Sequence, residues 1–137
     1  MEQQTSRTLH RTFEKTLQAF ADLPPSVSLT MASLGGDVTL LVDASGSIID
    51  VAYLDAAIQR FGVEDWPGRA WTDTVTGESV DKIRNLIDEC AKTGASRTHQ
   101  VNHPGARGSD LPIEYVLRRI DGFPYLVASG TDLRKFA

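Results

Sequence analysis

The residues of this chain with chemistry to offer are few. They are three histidines (His10, His99, His103), one cysteine (Cys90), the aspartates Asp37, Asp43, Asp50 and Asp55, and the arginines Arg97, Arg118 and Arg119. On a strand, His99 and His103 share a face but stand roughly 13 Å apart, too far for one metal ion. The pair therefore predicts no metal site. A single histidine holding haem is the remaining use, set against a plain polar, solvated strand. Cys90 falls at a core-facing helical position by spacing, where a thiol is ordinarily an inert small hydrophobe; a redox switch is the alternative. The four aspartates do not follow a metal-loop spacing and read as turn and surface residues. Gly105-x-x-Gly108 lacks the strand-then-helix context of a phosphate loop. The chain has neither a Gly-x-Ser-x-Gly elbow nor a His-Glu-x-x-His pair. Strand alternation would split Arg118 from Arg119, so the arginines suit a solvated or interfacial strip better than nucleic acid. These residue types predict no catalytic group, no metal and no enzyme.

The bulk numbers agree. A length of 137 residues predicts one domain. The formal net charge of −4 opposes a nucleic-acid surface, which needs a clustered basic excess. One cysteine allows no internal disulfide and suits a reducing compartment. The N-terminus lacks the basic-then-apolar pattern of a secretory signal, and no apolar run approaches the ~20 residues of a membrane span. The expectation is a soluble, cytoplasmic domain.

The elements that must position these residues are mixed. The anchor is 113–134. Ile113, Tyr115 and Leu117 alternate with Glu114, Val116 and Arg118, as on a strand. Asp121-Gly122 suits a two-residue hairpin turn, and 123–129 returns as an apolar strand. A sheet face carrying Tyr115, Leu117, Tyr125 and Val127 would be an apolar patch of the interface kind where helices leave it uncovered. At the other end, Leu9, Phe13, Leu17 and Phe20 form one stripe of an amphipathic helix over 6–23, ended by Pro24-Pro25. That stripe would either cover the domain's own core or meet a second copy in a dimer. A short second helix is expected over 26–34.

Val38 to Val42 and Ile48 to Tyr53 form a first hairpin around the turn Asp43-Ala44-Ser45-Gly46-Ser47. Leu54, Ile58 and Phe61 suggest a short helix closed by Gly62. Trp66-Pro67-Gly68-Arg69 is a turn, and Trp71 and Val75 are apolar anchors. Thr76 is a helix N-cap, Val80, Ile83, Ile87 and Cys90 share the apolar face, and Gly94 is the stop. A weak strand, 97–103, and an exposed loop, 104–110, complete the chain. Strands grouped around a helical middle imply an α+β fold with a five-stranded antiparallel sheet. It comprises an N-terminal helix and break (1–25) and a domain over 26–137.

This order resembles a PAS domain. The residues carrying the likeness are Asp43-Ala44-Ser45-Gly46, Gly68-Arg69 and the terminal Asp132-Leu133-Arg134. A closer resemblance is to the N-terminal PAS-like domain of the PpsR/CrtJ family of bacterial repressors of photosynthesis genes. It rests on Asn102-His103, Pro112-Ile113-x-Tyr115-x-Leu117-x-Arg119, Gly130-x-Asp132-Leu133-Arg134, Trp66-x-Gly68-Arg69 and Glu78-Ser79-Val80-x-Lys82. It runs from about 26 to 134, leaving the first helix uncovered.

The resemblance implies a sensory and oligomerisation module that makes homodimers or higher oligomers and binds no cofactor. It implies an antirepressor as a possible partner, and DNA contact only through a helix-turn-helix that follows a glutamine-rich linker beyond this chain. It further implies a signal exit at Asp132, Leu133 and Arg134. The family's redox signalling uses reactive cysteines; Cys90 matches none of those motifs but is the one residue here able to take that part. The alternative is a ligand-sensing PAS domain that holds haem, flavin or a small metabolite against Trp71, Ile83, Ile87 and Tyr115.

Overall fold

The structure is a computed structural model and describes residues 35–53 and 56–136. The expected helices over 6–23 and 26–34, with Leu9, Phe13, Leu17 and Phe20, lie outside the described residues, as does Leu54.

Strand β1 (Val38–Val42) and strand β2 (Ile48–Tyr53) pair antiparallel with a register shift at Leu41/Val42. Their turn is built by Asp43, whose Oδ1 accepts from the Ser45 N–H (3.0 Å), the Ser45 hydroxyl (2.7 Å) and the Ser47 N–H (2.9 Å). These bonds hold the Asp43 carboxyl below its ordinary range, the Ser45 hydroxyl contributing most. Gly46 supplies the left-handed residue at φ 94°. A single helical turn α1 (Ala56–Gln59) follows, then short 3-10 turns at Val63–Asp65, Trp71–Thr74 and Gly77–Ser79. The main helix α2 (Val80–Thr93) ends at Gly94, φ 89°, whose N–H donates to the Cys90 carbonyl. Strands β3 (His99–His103), β4 (Leu111–Arg119) and β5 (Leu126–Asp132) complete the sheet, and a 3-10 turn, Leu133–Phe136, leaves it.

The five strands run in the order β2-β1-β5-β4-β3, with antiparallel pairings. The first and last strands are therefore neighbours at the centre, and α2 lies across β3 and β4. Most of the apolar core sits on that helix-covered face. It includes Leu40, Val51, Val101, Ile113, Tyr115 and Leu117 with Trp71, Ile83 and Leu86. The middle strand gives this face Leu126 at its start and then only the small Ala128 and Gly130 between its neighbours. A Cβ on Gly130 would stand 2.6 Å from Ile113 Cγ2, 2.7 Å from the Tyr115 ring and 2.9 Å from Val38 Cγ1.

Three expectations change. The α2 face centres on Ile83, Leu86 and Cys90, all buried, whereas Val80 and Ile87 are half-buried at its margins; the true helical repeat turns Ile87 off the axis of the contact. Gly77–Ser79 is a 3-10 turn, and α2 has no side-chain N-cap bond from Ser79, so Thr76 is not the cap of the α-helix proper. Finally, β4 and β5 are not joined by a two-residue turn. Arg119 pairs with Leu126, and the six residues between contain a turn closed by the Phe123 N–H to the Ile120 carbonyl (3.1 Å), with Gly122 at φ 81°. Pro124 lacks an N–H and cannot extend the ladder.

Candidate functional site

A polar triad lies inside the core. β3 turns Val101 and His103 inward by strand alternation, and β4 does the same with Ile113, Tyr115 and Leu117. His103 is 1% exposed and Tyr115 fully buried. The Thr74 carbonyl accepts from His103 Nδ1 at 2.7 Å. A carbonyl can only accept, so Nδ1 carries the hydrogen; Nε2 is then the acceptor for the Tyr115 hydroxyl at 2.8 Å. Trp66 stacks on the imidazole (centroids 4.3 Å), and Trp71 meets the Tyr115 ring edge-on at 5.1 Å. Burial disfavours the charged forms of both groups. His103 is pulled down to about 4, with the Thr74 bond opposing, and Tyr115 is pushed far above its ordinary value. The pair is thus neutral at physiological pH. Beside it, the Trp71 indole N–H is the one buried side-chain polar atom without a hydrogen-bond partner among the described residues.

This corrects the solvated-strand expectation for His103. The signal was in the strand period, since Val101, the one aliphatic residue of β3, shares its face with both histidines. His99 is half-buried and its Nε2 lies 3.0 Å from Glu89 Oε2 on α2. The Glu89 carboxyl is held below its usual range, first by the Arg97 N–H and then by His99. Both ring nitrogens of His103 are engaged within the protein, so haem ligation would have to break one of these bonds. No three of the described His, Cys, Asp and Glu residues are grouped to hold a metal ion. Trp66, read in the sequence as a turn and resemblance residue, and Thr74, which had no distinguishing pattern there, complete the network.

The expected patch of Tyr115, Leu117, Tyr125 and Val127 is not one surface. In the β4–β5 register Leu117 faces Ala128 while Arg118 faces Val127. Tyr115 and Leu117 belong to the inner core, and Val127 points to the opposite face with Leu41 and Ile120, flanked by half-buried Ile49, Phe123 and Tyr125. The chain also enters on that outer side, where the Ser129 hydroxyl donates to the Gly35 carbonyl. Cys90 is fully buried, and burial raises its thiol, outweighing Arg119 and Arg118 nearby. Those are the surroundings of a packed thiol rather than a reactive one.

At the end of β5, Asp132 is 3% exposed and forms a two-pronged pair with Arg134, Nε–Oδ1 3.0 Å and Nη2–Oδ2 2.7 Å. That guanidinium and its bonds hold the Asp132 carboxyl below its ordinary range. The Asp132 N–H donates to Asp37 Oδ2 (2.7 Å), and Lys135 Nζ reaches Asp37 Oδ1 (2.9 Å). Leu133 is half-buried in the turn between them. Asp132 and Arg134 are thus brought together, and the start of β1 is tied to the end of β5.

No family model matches the chain, and no curated protein matches it. Among solved structures, it is similar to the PAS domain of a protein from Colwellia psychrerythraea, at 18% identity and a TM-score of 0.56, over 78% of this chain and 98% of that one. It is similar also to the PAS domain of an HTR-like protein from Haloarcula marismortui, at 16% identity and a TM-score of 0.54, over 80% of this chain and 99% of that one. None of the helices among the described residues is long and apolar enough to cross a membrane. The five-stranded antiparallel sheet with its helical segment is a PAS fold.

Proposed function

We propose that this chain is a non-enzymatic sensory and oligomerisation module of a bacterial transcriptional repressor of photosynthesis genes. In this reading it self-associates, offers a surface to an antirepressor, and passes its state onward through Asp132, Leu133 and Arg134. DNA binding belongs to another part of the protein. One observation supports the reading most. The residues that carry the family resemblance are contiguous in space: Trp66 stacks on His103, His103 bonds Tyr115, the Tyr115 ring occupies the space left by Gly130, and Asp132 pairs with Arg134 beyond it.

The half-buried outer-face side chains Ile49, Phe123 and Tyr125, packed around buried Leu41 and Val127, are the part of that face offered for self-association, with the Leu9, Phe13, Leu17 and Phe20 stripe as the element that would meet it. Two experiments test the proposal. Deleting codons 35–136 from the chromosomal gene should raise bacteriochlorophyll and carotenoid in oxygen; unchanged pigment refutes the repressor role. Sedimentation of residues 1–137 should show concentration-dependent association; a strict monomer at high concentration refutes self-association.

A second reading, a ligand-sensing domain, has the unpartnered Trp71 N–H in its favour, because a buried donor without an acceptor costs about 1–3 kcal/mol. Freshly purified protein settles it by absorption and native mass: a visible band or an added mass would replace the first reading.

A further inference from the structure

The Phe61 ring is where three separate segments of the chain meet. It follows α1, its own N–H donating to the Ile58 carbonyl at 3.0 Å. The Arg134 guanidinium lies over the ring, 5.2 Å from its centroid. The loop between β3 and β4 touches it at Gly105, where an added Cβ would come within 2.6 Å of Phe61 Cε1. Gly105 lies two residues after His103, so the buried triad and this contact sit at the same end of β3.

We propose that Phe61 and Arg134 form a latch that couples the helical insert and the β3–β4 loop to the C-terminal turn. The proposal rests on the reading of Asp132 to Arg134 as the exit. Arg134 is suited to the task by its shape. Its N–H edge is taken by the buried Asp132 carboxylate while its flat face covers Phe61. A planar, delocalised cation can do both at once; an ammonium group cannot. The turn has a second, independent tie, since Asp37 holds the Asp132 N–H and Lys135. Displacing α1 or the β3–β4 loop takes the ring from under the guanidinium and leaves the turn with only its ties to Asp37 and its packing on the sheet. Movement inside the domain thereby becomes loosening at its end, through contacts that are made or broken together.

The test is amide hydrogen exchange by NMR at Asp132 and Arg134, whose N–H groups bond Asp37 Oδ2 and Asp132 Oδ1. Leu40 and Val127 in the central strands serve as reference for global opening. Phe61→Leu should speed exchange at the two positions by roughly three- to fivefold relative to the reference, the worth of one exposed cation–π contact, and Arg134→Lys, which also loses the two-pronged pair with Asp132, by at least as much. Combined, they should speed it no more than Arg134→Lys alone. Unchanged exchange in Phe61→Leu, or effects that simply multiply in the double variant, would overturn the latch. If the latch opens but the longer protein's regulatory output does not respond to Phe61→Leu, the latch stands and the exit reading falls.

Discussion

Lowering the pH from 7 to 5 should destabilise this domain through one residue, His103. Its imidazole ionises near its ordinary 6.5 in the unfolded chain but only at about 4 in the fold, because burial penalises the cation. Between those values the unfolded state binds the proton and the native state refuses it, so stability rises with pH across the window and is lost as pH falls. The sign follows from a depressed pKa: the stability is fully present above about 6.5 and exhausted below about 4. The whole difference corresponds to roughly 3 kcal/mol, at 1.36 kcal/mol per unit.

By pH 5 about 97% of unfolded imidazole is protonated against about 10% of native, which puts the loss relative to pH 7 at about 2 kcal/mol. The carboxylates with depressed values, Glu78, Glu89, Asp43 and Asp132, lose their contributions only as pH falls below their ordinary 4.5 and 3.8, outside this interval. Urea unfolding at half-unit steps would show the midpoint falling by roughly 1 M between pH 7 and 5, given m of about 2 kcal/mol/M. His103→Gln should be less stable at pH 7, since it disturbs the bonds to Thr74 and Tyr115, but should lack this slope. Parallel curves for the two proteins would refute the reasoning, for the buried neutral imidazole would then have no energetic consequence.

Gly130→Ala should cost about 2–3 kcal/mol by chemical denaturation, because its Cβ would collide with Ile113, Tyr115 and Val38 on the inner face; a loss under about 0.5 kcal/mol would contradict that packing. On α2, Leu86→Ala should cost about 2–5 kcal/mol and half-buried Ile87→Ala distinctly less, an order that reversed melting temperatures would contradict. Cys90 should react with a thiol reagent no faster than the domain unfolds, and oxidant should leave the quaternary state of the protein and of Cys90→Ala alike. Rapid native labelling would restore the redox role.

Much of the architecture was legible in the chain alone. The apolar run 38–42 and its return 48–53 about a turn, the period of two in 113–117 and the glycines at 46, 62, 94 and 122 mark elements by local rules, steric freedom and side-chain direction, that need no partner. The same period placed His103 with Val101. What local rules cannot supply is which face of a strand meets the helix and which residues distant in sequence become neighbours. The register that puts Val127 opposite Arg118 and Tyr115 opposite Gly130 is a property of two strands together, so Tyr115 and Val127 looked like one patch until pairing separated them.

The His103 network and the Phe61–Arg134 contact join residues twelve to more than seventy positions apart. Their energies depend on burial and mutual geometry, neither of which exists before the sheet closes. Residue order alone thus determined the strands, the stops and the likeness to a PAS domain. The closed sheet decided that a polar histidine would be neutral and buried, that Cys90 would be shielded, and that the ends of β1 and β5 would be tied through Asp37, Asp132 and Lys135. Desolvation and long-range contact are consequences of the assembled fold.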